Sequence, residues 1–459
     1  MPSLGLAMIV KNGAETLREC IASVAEMTDQ IVIADTGSSD GTPQLARELG
    51  AEVLDFCWQD DFSQARNAAV KALTTDWVLV LDDDEELDTE ARDKISALLH
   101  HTKVGGYRAT VRNYMTMRFG VGGNAPAFMP MPTNSSTPRA ERARSYADFN
   151  ICRLFRRHPE IYYVGRVHET VEPRIRKSGL EIGTADFLIH HFGILGSPEA
   201  RRLKDEFYRK LGWLKVKDDP NDAQAWAEIG LQEYEQFKNY SISIECFRKA
   251  LGLDPEGSSV PYFALANLYI EIQADSRAIE LLSSRTMTGR AAGEKEKICG
   301  DALYNLGRLK EARSAYMRAL RILSGDPRIL SKLGLTEVRL GLKRNGLVRL
   351  ERALHAAPDV LEMHDRTIKA YLVLNRMQQA AKAAERLAEE FPSCATTLRA
   401  ASIRAEMKEW KAAEDVVLQG LKLLPDNREL LQVKAEIERE AHCAYCSIGR
   451  SEEIALSRP

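Results

Sequence analysis

Residues 1 to about 111 alternate short apolar runs with amphipathic stretches. Leu4–Val10, QIVIA (30–34), Ala51–Phe56 and WVLVL (77–81) are continuous apolar runs bounded by turn residues. That is the pattern of strands covered by helices on both faces. Ala14–Ala25, Pro43–Leu49, Phe62–Leu73 and Thr89–Leu99 are predicted as the helices of this alternation. The repetition predicts an α/β domain on a Rossmann-like, mostly parallel sheet. Residues 113–147 break the rhythm with Gly120, Gly122, Gly123, Pro126, Pro130, Pro132, Pro138 and Asn134-Ser135-Ser136, and read as a long, partly mobile loop. Regular signals resume at Ile151–Phe155, Ile161–Val167 and Phe187–Ile194.

From about residue 223 the period changes. FRKALGLDP (247–255), YMRALRILSGDP (316–327), LERALHAAP (350–358), AERLAEEFP (384–392) and VLQGLKLLP (417–425) echo one another. Pro358, Pro392 and Pro425 lie 34 and 33 residues apart, and Ala319 and Ala353 lie 34 apart. Helix pairs of that length closed by Pro are the tetratricopeptide signature. Trp226, Gly230, Gly307, Gly334 and Gly341 fall where such a repeat needs a helix-packing residue or a tight turn. Stacking of about six units predicts an all-α solenoid. The expected organisation is an α/β domain over 1–198, a helical connector over 199–222, the solenoid over 223–440 and a charged tail over 441–459.

A chain of 459 residues exceeds one hydrophobic core, in keeping with this division. The formal net charge of -3 gives no electrostatic reason to expect a nucleic-acid partner. Lys11 and Asn12 end the first apolar run far short of a signal or membrane segment, and no later run approaches a transmembrane length. The chain reads as cytoplasmic, with attachment to the inner membrane face left open. Six of the eight Cys are scattered singly, as reduced thiols usually are. Cys443 and Cys446, with His442 beside them, make half a zinc site at best.

The chemistry concentrates where strands end. Asp82-Asp83-Asp84-Glu85-Glu86 directly follows WVLVL, and ligands of open α/β sheets bind outside the carboxyl ends of strands. Carboxylates packed there repel one another unless a cation is present, and oxygen-rich sites suit Mg²⁺ or Mn²⁺. Asp82 and Asp84 are the expected ligands, while Glu85, Glu86 and Asp88 read as charge at a helix start. Asp35 ends the second strand ahead of a turn that Asp40 or Thr42 caps, and is placed to accept hydrogen bonds from a base or ribose. Arg66 and Asn67 sit one turn inside a helix opened by Asp60 or Asp61, and Arg66 suits a base or phosphate.

MIVKN (8–12), IADTGSSDGT (33–42), DDFSQARN (60–67) and WVLVLDDDEEL (77–87), in this order, resemble the inverting family-2 glycosyltransferases with the GT-A fold. They resemble in particular a bacterial branch carrying C-terminal tetratricopeptide repeats, a likeness that RLFRR (153–157) and GRVHE (165–169) extend. The resemblance implies a hexosyltransferase whose nucleotide-sugar donor is usually UDP-linked, with the diphosphate on Mn²⁺ or Mg²⁺. Position by position it implies a nucleotide role for Val10, Lys11, Asp35 and Arg66, and assigns diphosphate and metal to Asp82 and Asp84, with Asp83 in the variable middle position. Such enzymes commonly place a late His on the metal or diphosphate. His168 is the first candidate, with Glu169 beside it as general base, and His190-His191 the second. The QxxRW motif of processive synthases is absent from the sequence. Gly120-Val-Gly122-Gly-Asn-Ala125 fits GxGxxA but lacks strand and helix context.

The expected reaction is a single displacement onto a hydroxyl or thiol of a peptide, protein or cell-envelope glycan. Metal and diphosphate sit on Asp82 and Asp84, Asp84 and Glu169 serve catalysis, and loop 113–147 acts as a lid. The solenoid holds an acceptor or a partner protein. The competing readings are a solenoid adaptor with an inactive transferase domain and a nucleotidyltransferase.

Overall fold

A computed structural model describes residues 2–115, 129–130, 139–140, 143, 145–193, 198–358 and 360–441. Strands β1 (Leu4–Val10), β2 (Gln30–Asp35), β3 (Glu52–Asp55) and β4 (Trp77–Val80) pair in parallel in the order β3-β2-β1-β4. All seven residues of β1 are buried, as its unbroken apolar run requires of a central strand. Alternate side chains serve opposite layers. Leu4, Leu6, Met8 and Val10 pack on helix α1 (Leu17–Val24), while Ala7 and Ile9 pack on the side of α3 (Phe62–Ala72). Helix α2 (Thr42–Glu48) joins β2 to β3. Asp61 caps α3 by accepting from the Gln64 amide at 3.2 Å. The chain leaves β1 toward β2 on one side and reaches β4 on the other, which opens a crevice at the carboxyl ends of β1 and β4.

Beyond β4 the sheet is mixed, not mostly parallel. It continues through β8 (Ser145–Arg156), β6 (Val104–Met115), β9 (Glu181–His191) and β5 (Glu85–Leu87), with β7 (Met129–Pro130) on β8. Of these pairs β6–β9 is parallel, and β4–β8, β6–β8, β5–β9 and β7–β8 are antiparallel. Glu85 and Glu86 therefore lie in a strand, opposite His191 and His190, and do not begin a helix. Helix α4 starts only at Ala91 and runs to Leu98. Ile161–Val167 is not regular: Val164 and Thr170 form an isolated bridge around a turn in which His168 holds a φ of 54°. A short helix α5 (Glu172–Lys177) follows. Most of the expected 113–147 loop, and the Cys443/Cys446 tail, lie outside the described residues.

The chain divides into two units, Met1–Pro261 and Tyr262–Pro459. The first also holds α6 (Pro198–Asp218), α7 (Ala223–Glu235) and α8 (Tyr240–Leu253). The second is helical, with α11 (Gly289–Asn305) and α12 (Leu309–Ile322), α13 (Pro327–Arg339) and α14 (Lys343–Ala356), α15 (Leu361–Val373) and α16 (Met377–Glu390), and α17 (Cys394–Glu406) and α18 (Trp410–Leu423) packed as pairs. Small residues set the contact distance: a Cβ added at Gly334 would meet the Gly346 carbonyl oxygen at 2.8 Å. Among the described residues no helix is long and apolar enough to cross a membrane.

Asp326 caps α13, accepting from the Arg328 amide at 2.8 Å and the Ile329 amide at 3.4 Å. Burial would raise its carboxyl, but the Arg328 guanidinium and these amides hold it below the ordinary value. A depressed carboxyl stabilises above the unfolded pKa of about 3.9, and that stabilisation is lost as pH falls through the folded value. Asp326→Ala is expected to cost about 1 kcal/mol at neutral pH, with a penalty that shrinks below about pH 4. Urea melts at pH 7 and pH 3.5 measure both, and an equal penalty at the two pH values rules the account out.

Candidate functional site

The turn between β4 and β5 carries the acidic run into the crevice. Arg66 on α3 donates from Nη2 to Asp82 Oδ1 at 2.7 Å and from Nε to Glu169 Oε1. Arg153 on β8 donates from Nη2 to Glu85 Oε1 at 2.6 Å and to Asp82 Oδ2 at 3.2 Å. Glu85 Oε2 accepts the Asp82 amide at 2.9 Å, so the turn is tied at both ends. Glu85 is 1% exposed, and both arginines are 8% exposed. Buried charges persist only when paired in this way. Burial would raise Asp82, but the two guanidinium groups hold it far below the carboxylate range. Burial, aided by Asp82 and opposed by Arg153, pushes Glu85 up to about 7.

Asp83 faces α1, where its Oδ2 accepts from Thr16 Oγ1 at 2.8 Å. Burial, with Asp84 and Asp82 close by, pushes it up to about 6. Asp84 instead faces β9: its Oδ1 lies 3.4 Å from His191 Nε2, and His191 Nδ1 bonds Asn113 Oδ1. Burial lowers His191, but Asp84, Glu85 and Asp82 outweigh it, and its pKa is raised. A Cβ on Gly193 would fall 2.0 Å from Asp84 Oδ2 and 2.9 Å from His191 Nε2, so glycine keeps the space between them open.

The crevice is a cleft of about 400 Å³, within the range of small-molecule sites. Val10, Lys11 and Thr36 line one part, and Arg66, Asp82, Asp83, Asp84, Glu169 and His191 the floor. Trp58, Phe62 and, from α6, Lys204, Phe207 and Tyr208 form the remaining wall.

The expected residues fare differently. Val10, Lys11, Arg66, Asp82, Asp83, Asp84 and Glu169 share the cleft. Asp35 stands just behind it, in register with Val10. Its Oδ1 accepts from the Gly37 and Ser38 amides at 3.0 and 2.9 Å, while Oδ2 is buried with no partner among the described residues. Arg66 spends Nε and Nη2 on carboxylates, but its Nη1 has no partner among the described residues. His168 is exposed and does not line the cleft. The β5–β9 pairing brings His191 to Asp84 in its place. Asp82, Asp84 and His168 are not drawn into one ligand cluster, and no group of three His, Cys, Asp or Glu side chains is placed to hold a metal among the described residues.

Sequence reasoning missed Arg153, Glu85 and the aromatic wall. For Arg153 the signal was a cation set between the apolar residues Cys152 and Leu154 of a strand. For Glu85 it was the alternation of Glu85, Glu86 and Leu87, of which the first and last are buried.

The donor set still fits a divalent cation. Asp84 and His191 would offer it an oxygen and a nitrogen across a space kept open by Gly193, and the two buried arginines pair with Asp82, Glu85 and Glu169 but not with Asp83 or Asp84.

Fold and cleft define an α/β domain with its ligand site at the carboxyl ends of parallel strands, next to a topological switch point. Residues 6–161 match the model of glycosyl transferase family 2, and residues 223–256 and 300–322 match that of the tetratricopeptide repeat. The chain is thus similar to family-2 glycosyltransferases over 6–161 and to tetratricopeptide repeats further on. A TPR repeat-containing protein of Synechococcus elongatus is 32% identical over 262 residues, covering 51% of this chain and 57% of its own. An uncharacterized glycosyltransferase of Rickettsia prowazekii is 35% identical over 95 residues, covering 21% and 32%. The prophage-derived glycosyltransferase SunS of Bacillus subtilis is 22% identical over 213 residues, covering 46% and 44%. The chain thus spans less than two thirds of the length of each of these relatives.

Proposed function

We propose that this chain transfers a hexose from a nucleotide sugar, UDP-linked by preference, to an acceptor hydroxyl or thiol with inversion. The observation that carries the reading is the acidic β4–β5 turn, tied down by two buried arginines and open to the cleft. Val10, Lys11 and Asp35 take the nucleotide end, where Asp35 Oδ2 awaits a donor. Asp84 and His191 would hold Mn²⁺ or Mg²⁺ and, through the ion, the diphosphate, with Asp82 and Asp83 lining the cleft beside them. When bound, the ion neutralises charge developing on the leaving diphosphate. Arg66 orients Glu169 through Oε1 and leaves Oε2 to take the acceptor proton. The acceptor oxygen or sulfur bonds the anomeric carbon, the bond from that carbon to the diphosphate oxygen breaks, and its electron pair leaves with the nucleotide. We also propose the division into a transferase portion over 1–198, a connector over 199–222, repeats over 223–440 that take a peptide, protein or glycan acceptor or a partner, and a tail over 441–459, in a cytoplasmic protein.

Incubating the full chain with Mn²⁺ and a panel of UDP- and GDP-linked hexoses tests this. Release of UDP or GDP supports the reading. Release of a hexose 1-phosphate, the leaving group when the nucleotidyl moiety is transferred, would replace it with a nucleotidyltransferase, and silence with candidate acceptors present would replace it with an adaptor. A companion experiment separates the two histidines. His191→Ala is expected to raise the Mn²⁺ concentration for half-maximal turnover by about 10–100-fold. His168→Ala is expected to leave that concentration unchanged, and the reverse pattern would return the metal to His168.

A further inference from the structure

The matched glycosyltransferase region ends at residue 161, yet part of the cleft wall comes from α6, well beyond it. Phe207 and Tyr208 pack with Trp58 and Phe62 in one aromatic cluster: the Trp58–Phe207 centroids are 5.8 Å apart, and the Phe62–Tyr208 centroids 5.5 Å. The helix is pinned beside the cleft. Lys210 Nζ lies 2.6 Å from Asp60 Oδ2, and Arg166 pairs with Asp218. On its other side, Arg209 and Trp213 bond the fully buried Glu233 of α7 at 2.6 and 3.1 Å. Tyr208 is thus held from two directions. Its hydroxyl makes no hydrogen bond among the described residues, and its electrostatic neighbours are Asp82, Glu169, Arg66 and Asp84.

A pyranose presents a face of C–H groups and a rim of hydroxyls. An aromatic wall beside carboxylates matches both: rings pack on the apolar face, and the carboxylates and a phenol take the rim. A diphosphate has no apolar face to pack on rings, and the nucleoside has its own place at the β1–β2 end of the cleft, where Lys11 and Thr36 line it and Asp35 stands behind. We propose that Tyr208 contacts the transferred pyranose and sets sugar specificity, so that the donor cleft is completed by the helix that leads into the repeats. This rests on the glycosyltransferase reading above.

The test uses the full chain with Mn²⁺. Affinities for UDP, UDP-glucose and UDP-N-acetylglucosamine, and for the GDP-linked series, are measured by calorimetry for the wild type, Tyr208→Phe and Tyr208→Ala. Tyr208→Ala is expected to leave the free nucleoside diphosphate bound within about twofold and to weaken the nucleotide sugar by about tenfold or more. Tyr208→Phe keeps the packing, guarding against a folding defect, and is expected to weaken the nucleotide sugar by about 2–10-fold. The ratio of kcat/KM for the two sugars should shift with both variants. A loss shared equally by nucleotide and nucleotide sugar, or no loss in either, overturns the proposal. A wild type that binds no nucleotide sugar in the panel removes the glycosyltransferase reading itself, a different and separately visible failure.

Discussion

Asp84→Asn is expected to lower donor turnover by about 10²–10³-fold, a loss of about 3–4 kcal/mol of transition-state stabilisation. The substitution preserves shape. The Asp84 main-chain oxygen still accepts the Phe192 amide at 3.1 Å, so the joint between turn and β9 survives. What disappears is the negative charge facing His191 across the space that Gly193 leaves open. Melting temperature should therefore change little while UDP release collapses, and added Mn²⁺ should restore only part of it. Asp82→Asn would be a poorer probe, because Asp82 pairs with both buried arginines and its loss mixes folding with chemistry. Unchanged turnover in Asp84→Asn would sink the site assignment, whatever the donor proves to be.

Arg153→Met should act on stability instead. It leaves Glu85, 1% exposed, and one oxygen of Asp82 without their cation. Removing one partner of a buried pair typically costs about 3–5 kcal/mol. Part of that cost is avoidable by protonation. Glu85 is already raised to about 7, and loss of Arg153 raises it further. A raised carboxyl binds more protons folded than unfolded, so stability falls as pH rises from the unfolded value through the folded one. The Arg153→Met penalty should therefore be small near pH 5 and large at pH 8. Adding Glu85→Gln removes the stranded charge and should bring the double variant to within about 2 kcal/mol of the wild type. Urea unfolding followed by tryptophan fluorescence measures the cycle. Additive single costs would mean that Arg153 and Glu85 are not energetically coupled.

Both expectations concern groups that differ in how readily a sequence exposes them. Asp82 and Asp84 were legible because an acidic run after a buried strand is rare and chemically costly. The parallel half of the sheet was legible for a related reason: β1 to β4 are unbroken apolar runs separated by single helices, and such runs admit few topologies. The antiparallel half was not. The long strands β6, β8 and β9 carry mixed apolar and polar residues, with only about half of their positions buried, so periodicity speaks weakly there. Glu85 illustrates the consequence. Next to four other acids it looked like charge at a helix start, and only its pairing with His191 on β9 turned it inward.

The choice between the two histidines has the same origin. His168 adjoins Glu169 in sequence, whereas His191 is more than a hundred residues from Asp84 and reaches it through a strand pairing. The aromatic wall is subtler still, since Phe207 and Tyr208 sit in a helix that local pattern could assign only to a connector. By itself, the sequence determined the α/β region, the helical repeats, the acidic turn and most of the residues gathered at the cleft. Those features rest on local periodicity and on carboxylate chemistry, which neighbours in the chain express. The tertiary structure alone decided which carboxylates are tied by arginine, which histidine meets Asp84 and which helix closes the cleft. Each is a contact between distant segments, created by strand order and helix packing.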